Sequence, residues 1–345
     1  MPTFNGEKYI ARAIDSILTQ THRNLELIIV DDGSTDNTPS IIKSIIASKK
    51  EQRIKYTLHE QNQGVSAATN TALANVRGAY IFPMDHDDVA LPTRIETSLK
   101  FLKRNPELSG CGALHTKLSR FNLINKFKII KTELSAKPVS AEVVAAGTLF
   151  GGKLFNPTVC FTKEALNLVS EKFRTDLKVG ADTDFYARLI QKGAKFAIIP
   201  KVVTLYRRHG KNTSLQYPKI AAANRINISE RAVLDLVPAA SSEELKLHSR
   251  LVVRDKTIAS EDLPRLRTWF LSLLGSCEEK GVKEGLRQIL AYQWSQACAL
   301  AACANLKTGW KEYYTIPELN DALPTRLALV YFYQKRKIMR IFKGR

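Results

Sequence analysis

Along the first part of the chain the apolar positions repeat with two different periods. LELIIV at 25–30 is an unbroken apolar run of strand length, and such a run suits a strand buried on both faces. Behind it, Ile41, Ile42, Ile45 and Ile46 recur at helical spacing after Pro39, a residue tolerated in a first turn, so a helix begins at Asp36 or Thr38. IKYTLHE at 54–60 predicts a second strand, VSAATNTALANV at 65–76 a helix stopped by Gly78, and AYIFPMD at 79–85 another strand. A further helix runs from Pro92 to about Asn105. Strand and helix in alternation predict an α/β fold with a mostly parallel sheet flanked by helices.

The stretch 108–217 mixes strands (GCGALHTKL, PTVCFT, KFAIIPKVV) with short helices. From about 218 the spacing turns helical, as in Ile226, Val233, Leu234 and Leu236, and again in Leu286, Ile289, Leu290 and Trp294. These shifts divide the chain into an α/β domain at 1–217, a mainly helical region at 218–322 and a basic tail at 323–345. The tail carries seven Lys or Arg after Pro324 and no acid, interleaved with Tyr331, Phe332, Tyr333 and Phe342. It is either a basic amphipath suited to an anionic membrane surface or a solvated helix with one packed face.

Composition narrows the class. At 345 residues, 44% hydrophobic and 25% charged, the chain can build one large or two medium globular domains, and disorder is not the expectation. Its formal net charge of +19 favours anionic partners: nucleic acid, acidic lipid or phosphorylated ligands. Cys111, Cys160, Cys277, Cys298 and Cys303 form no C-x-x-C pair and are odd in number, which points to a reducing cytosol. MPTFNGEKYI lacks the layout of a signal peptide, and no window approaches the roughly 18 uninterrupted apolar residues of a membrane span. Because PTFNGEKYI follows Met1 with no apolar run before it, the first strand of the expected fold is short, as though the chain were clipped or its start set too far downstream.

Four stretches carry candidate chemistry. DDGSTD at 31–36 follows a predicted strand and so lies at the carboxyl edge of the sheet, where open α/β folds bind ligands. Asp31 and Asp32 offer acceptors for ribose hydroxyls or a base N–H there, although Asp, Ser and Thr are also ordinary capping residues. MDHDD at 84–88 ends another strand. Asp85 and Asp87 can share a divalent ion, and an all-oxygen set suits Mg2+ or Mn2+; a bare D-x-D is also the composition of a solvated turn. Three carboxylates in four positions repel one another and call for a compensating cation. In GADTDFYARL at 180–189, Asp182 and Asp184 do not share a helix face, so only one of them can serve a given site as general base. YRRHGKNTS at 206–214 brings Arg207, Arg208, His209 and Lys211, which can clamp phosphates, complete a metal shell through His209, or simply add exposed charge.

Taken in order, PTFNGEKYIARAIDSILTQT, LELIIVDDGSTDNT, NQGVSAATNTAL, GAYIFPMDHDD, NPTVCFTKEAL, GADTDFYARL and YRRHGKNTS resemble the family 2 inverting glycosyltransferases, over about residues 2 to 215. The resemblance implies a GT-A fold, a Rossmann-like sheet flanked by helices, with a nucleotide-diphospho sugar as donor and Mg2+ or Mn2+ as cofactor. It implies that Thr3, Asp31 and Asp32 surround the nucleotide, that Asp85 and Asp87 form the D-x-D metal site with Asp88 alongside, and that Asp182 deprotonates the acceptor hydroxyl. It further implies a glycan or lipid-linked acceptor in bacterial surface polysaccharide synthesis, and a cytoplasmic enzyme at the inner face of the plasma membrane. Ala181 stands where the family usually has a second acid, and Thr69 where many members have Arg. No Q-x-x-R-W signature is present, which implies transfer of single sugars. The rival readings are a metal-dependent nucleotidyltransferase, for which PTFNGEKYI is a poor triphosphate loop, and a nucleic-acid binder, for which only the tail offers aromatic residues among basic ones.

Overall fold

The computed structural model describes residues 1–118, 129, 133, 136–210, 212–253, 255, 257–302, 313 and 315–319. Lys211, Cys303 and the basic tail at 323–345 lie outside these residues. The chain forms two compact units: Met1–Ala141 with Lys153–Asn224, and Glu142–Gly152 with the chain from Arg225 onward.

The first unit opens with β1 (Pro2–Thr3), α1 (Ile10–Leu18), β2 (Leu27–Asp31), α2 (Thr38–Lys49), β3 (Ile54–Leu58) and α3 (Val65–Ala74). β1, β2 and β3 form a parallel sheet in that order. All five residues of β2 are buried, as its unbroken apolar run requires. Ile10, Ala13, Ile14 and Ile17 recur at helical spacing on α1 and are buried in a core shared with Leu27, Ile29, Ile42 and Ile54. The register sets Thr3 beside Asp31 and Asp31 beside Leu58, so these three side chains end neighbouring strands at one edge.

Next come β4 (Tyr80–Ile81), β5 (Val89–Ala90), α4 (Arg94–Arg104), β6 (Gly110–Lys117), α5 (Ala141–Ala146), β7 (Cys160–Thr162), α6 (Lys163–Leu166), α7 (Ala181–Gln191) and β8 (Phe196–Tyr206). The second sheet runs β4-β7-β6-β8-β5 and is mixed: β6 and β8 pair in parallel, the other neighbours antiparallel. β4 holds two residues where AYIFPMD suggested seven, because Pro83 has no N–H to continue a ladder. The chain then passes from β4 at one edge of this sheet to β5 at the other, and MDHDD lies on that crossing. Helix α3 ends at Ala74 with Asn75 as its cap, so Gly78 falls outside it.

After α8 (Thr213–Gln216), α9 (Pro218–Leu236) carries the chain from the first unit, which ends at Asn224, into the second, where α10 (Ser242–Val252), α11 (Leu263–Gly275) and α12 (Lys280–Ala302) follow. Trp269, Phe270 and Trp294 are buried there. His248 is buried too; its Nδ1 accepts from Trp269 Nε1 at 3.0 Å and its Nε2–H donates to the Leu149 carbonyl. Burial pushes this imidazole down to about 4, so it is neutral and pins Glu142–Gly152 to the helices. A helical region beginning near 218 did not include this earlier segment, since nothing in its own pattern marks it as the helices' partner. No helix among the described residues is long and apolar enough to cross a membrane.

Gly110 shows how tightly the second sheet is built: a Cβ there would lie 2.5 Å from the Cys160 carbonyl oxygen and 2.5 Å from Phe196 Cε1. Gly110→Ala is expected to lower stability by about 2 kcal/mol through overpacking, read as a lower denaturant midpoint at unchanged m-value.

Candidate functional site

The site is assembled from both sheets of the first unit. At the edge of the parallel sheet, Asp31 is buried; its Oδ1 accepts the Ser34 N–H at 2.9 Å and its Oδ2 the Tyr56 hydroxyl at 3.2 Å. Asp32 accepts the N–H groups of Gln63 (3.0 Å) and Gly64 (2.7 Å) and faces His59 Nδ1 at 2.8 Å. A carboxylate has about four lone-pair sites, and among the described residues Asp32 fills three of them and Asp31 two. Gly33 makes this turn possible: φ is +72°, and a Cβ would lie 2.9 Å from the Asn62 nitrogen. Thr3 is buried and its hydroxyl has no hydrogen-bond partner among the described residues. Loop is tied to loop by Asn5 N–H to Ser34 Oγ (2.9 Å), Thr35 N–H to Asn5 Oδ1 (2.8 Å) and Gly6 N–H to Thr38 Oγ1 (2.8 Å).

On the crossing between β4 and β5, one oxygen each from Asp85, Asp87 and Asp88 lie within 4.8 Å of one another. Asp88 is buried, its Oδ1 accepting the Arg207 N–H at 2.8 Å while its Oδ2 has no hydrogen-bond partner among the described residues. Asp87 Oδ2 faces His209 Nε2 at 2.9 Å and accepts from Asn212 Nδ2 at 3.4 Å. Arg207 Nε donates to the Asp87 carbonyl at 2.8 Å. The Tyr9 ring carries the Arg207 guanidinium 4.5 Å from its centroid and stacks on His209 at 5.2 Å. His209, expected in the metal shell, therefore meets the cluster through Asp87, and Asp88 is the third member of the acidic group.

Burial, then the charges of Asp87 and Asp182, push the Asp85 carboxyl up to about 7. Burial, then Asp85, pushes Asp88 up to about 8. An all-carboxylate donor set with one orphaned buried oxygen fits a hard divalent cation.

Asp182 and Asp184 are sorted by their partners. Asp184 is fully buried and paired with Arg188 Nε at 2.7 Å. Arg188 also donates to the carbonyls of Glu171 and Lys172. Asp182, in the first turn of α7, acts electrostatically on Asp85, and burial raises its own carboxyl above the usual range. Next to it the buried Tyr186 hydroxyl bonds Asn156 Oδ1 at 2.8 Å. The structure thus brings Asp85, Asp87 and Asp88 together, with Asp182 acting electrostatically on Asp85 and with Thr3, Asp31 and Asp32 at the parallel sheet's edge. Sequence reasoning missed Tyr9, Asn156, Tyr186 and Asn212, whose partners lie between 30 and 200 residues away and leave no local signal. It also missed Arg94, whose guanidinium is buried beneath the acidic stretch.

Residues 1–144 match the family model described as Glycosyl transferase family 2. An uncharacterized glycosyltransferase of Haemophilus influenzae is 30% identical over 215 residues, 62% of this chain and 66% of that protein. Chondroitin synthase of Escherichia coli is 30% identical over 228 residues, 66% of this chain and 31% of the synthase. The chain spans just under two thirds of the first of these relatives and about a third of the second. Among solved structures, Staphylococcus aureus TarS 1-349 in complex with UDP-GlcNAc superposes with a TM-score of 0.55 at 16% identity, covering 96% of this chain and 87% of that one. The mannosyltransferase PcManGT of Pyrobaculum calidifontis, in complex with GDP-Man and Mn2+, gives 0.53 at 17% identity, covering 100% and 86%. At such identities the likeness is one of fold.

A folded-state carboxyl raised from 3.8 to about 8 binds a proton that the unfolded chain has already lost, so its contribution to stability falls as pH rises between those values. Asn mimics the protonated form at every pH. In metal-free protein, Asp88→Asn is therefore expected to gain thermal stability over the parent as pH goes from about 5 to about 8, the difference widening with pH in paired melting curves.

Proposed function

The chain belongs to glycosyl transferase family 2 and has the GT-A fold, and from that premise we propose that it transfers a sugar from a nucleotide-diphospho sugar to an acceptor hydroxyl with inversion at the anomeric carbon. The observation that carries this reading is convergence. Carboxylates from the β4–β5 crossing and from the first turn of α7, some hundred residues apart, meet within electrostatic reach of one another.

In this reading the edge bearing Thr3, Asp31 and Asp32 receives the nucleoside, Thr3 offering its unpartnered hydroxyl and the two aspartates fixing the loops that border it. Asp85 and Asp87, with Asp88 alongside, would hold Mg2+ or Mn2+. His209 and Asn212 orient Asp87 by hydrogen bonds to its Oδ2. When bound, the ion would neutralise the diphosphate as it leaves. Asp182 takes the proton from the acceptor hydroxyl, and its raised carboxyl pKa brings its basicity nearer the working pH. Asp184 cannot share this role, because its charge is spent on Arg188.

The nucleotide-sugar complexes of TarS and PcManGT, and the Mn2+ of the latter, support the donor class and the ion. The chondroitin synthase relative supports a glycan acceptor in polysaccharide synthesis. We place the reaction in the cytoplasm at the inner membrane face, the basic stretch at 323–345 resting on anionic lipid, on the strength of its charge alone.

A calorimetric screen of nucleotide sugars with Mn2+ or Mg2+ tests the donor. Asp87→Ala is expected to weaken metal-dependent donor binding at least tenfold. Asp182→Asn is expected to bind donor as the parent does and to lose about 10²- to 10⁴-fold in kcat; parental turnover in that variant would remove Asp182 from the base role.

A further inference from the structure

Arg94 is the first residue of α4, and its side chain is 1% exposed. Its guanidinium donates to the Pro83 carbonyl at 2.6 Å, to Met84 Sδ at 3.1 Å and, at 3.5 Å, to the Val159 carbonyl. None of these acceptors carries a charge, and Nε has no partner among the described residues. A buried cation held only by neutral groups should be costly. Pro83 and Met84 immediately precede Asp85, so the guanidinium lies under the start of the acidic stretch, and the charges of Asp85 and Asp88 both act on it. On the other side, Asp88 is equally buried and its Oδ2 equally lacks a partner. Each of the two buried groups thus keeps one polar atom without a hydrogen-bond partner among the described residues, and the charge of Asp88 acts on Arg94.

We propose that Arg94 is the built-in counter-cation of the Asp85, Asp87 and Asp88 cluster, a positioning residue that holds the three carboxylates together from beneath without touching substrate or ion. Three carboxylates and one guanidinium leave a deficit of two positive charges, the charge of one divalent ion. Arg94 also ties the acidic crossing to the strand-entry segment at Val159 through the two carbonyls it bonds, so one side chain supplies both the charge and the anchorage. Its bearing on sugar transfer rests on the metal reading above; the charge coupling does not, and can be measured without metal or substrate.

The test is a double-mutant cycle in chelator at about pH 9, above the raised Asp88 value, so that its carboxylate is charged, comparing parent, Arg94→Met, Asp88→Asn and the double variant by thermal melting. Arg94→Met is expected to lower Tm by about 10 °C in the parent background, as removing one partner of a buried charge pair does. In the Asp88→Asn background the same change should cost less than half as much, because one charge it neutralised is gone. Equal losses in the two backgrounds would overturn the proposal. If Arg94→Met alone fails to fold, recovery of folded double variant supports it. Arg94→Lys gives the remaining discrimination: with the charge kept and the planar fork lost, it should melt well above Arg94→Met. A Lys variant as unstable as the Met variant, or as incapable of folding, would assign Arg94 to packing and sink the counter-cation role.

Discussion

Three carboxylates with oxygens inside 4.8 Å of one another repel strongly, and the more so where burial strips away water. Much of the first unit can be understood as what it takes to keep them there. The β4 ladder ends at Ile81, and the next residues cross to the far edge of the second sheet, so the acidic stretch is strung between two anchored strands. From one side the loop after β8 reaches in: the Arg207 N–H takes Asp88 Oδ1, Arg207 Nε takes the Asp87 carbonyl, and His209 and Asn212 take Asp87 Oδ2. Tyr9 then fixes that loop by holding Arg207 and His209 with its ring. These contacts neutralise the cluster only in part: burial first, and then the neighbouring carboxylates, push Asp85 up to about 7 and Asp88 up to about 8. A site that holds protons when empty is one that exchanges them for a cation when filled.

The parallel sheet handles its own acids differently. Asp31 and Asp32 do not crowd each other, because adjacent strand residues point to opposite faces and each carboxylate finds N–H or O–H donors of its own. Their work is architectural: Asp32 gathers the backbone of Gln63 and Gly64, and Asp31 gathers Ser34 and Tyr56. Two loops distant in sequence are thereby fixed along one edge, next to a threonine hydroxyl with no hydrogen-bond partner among the described residues. The rigidity of this rim and the strain of the acidic crossing are complementary, since a nucleoside needs a fixed seat while an ion needs unsatisfied charge.

The parts legible in the sequence were those governed by local periodicity. β2 is an unbroken apolar run, α2 keeps helical spacing, and each acidic stretch stood at a strand end or a helix start, whereas α1 at Ile10–Leu18 went unread. The mixed order of the second sheet was not legible, because β4 and β5 are two residues long and owe their existence to partners on β7 and β8. Nor was the transfer of Glu142–Gly152 to the helical unit, which rests on partners distant in sequence, such as Ser229 and the neutral His248 that both bond the Leu149 carbonyl. Arg94 did leave a trace that periodicity ignores. A cation in the first turn opposes the helix dipole, so an Arg there, just after three aspartates, has been placed for a reason other than its helix.

The same economy decides which aspartate of GADTDF can act as a base. Asp182 and Asp184 are two residues apart on one helix and chemically identical, and Ala181 removes the third acid that might have shared the work. Arg188 breaks the tie. One turn beyond Asp184, it pairs with that carboxylate at 2.7 Å and at the same time grips the carbonyls of Glu171 and Lys172, so its position is fixed from two directions. Asp184 is thereby held in a buried ion pair. Asp182 has no ion pair among the described residues; burial raises its carboxyl, and its charge bears on Asp85 and Tyr186. Two equal carboxylates become unequal through one guanidinium: Asp184 is tied to Arg188, while the charge of Asp182 acts on the acidic crossing at Asp85.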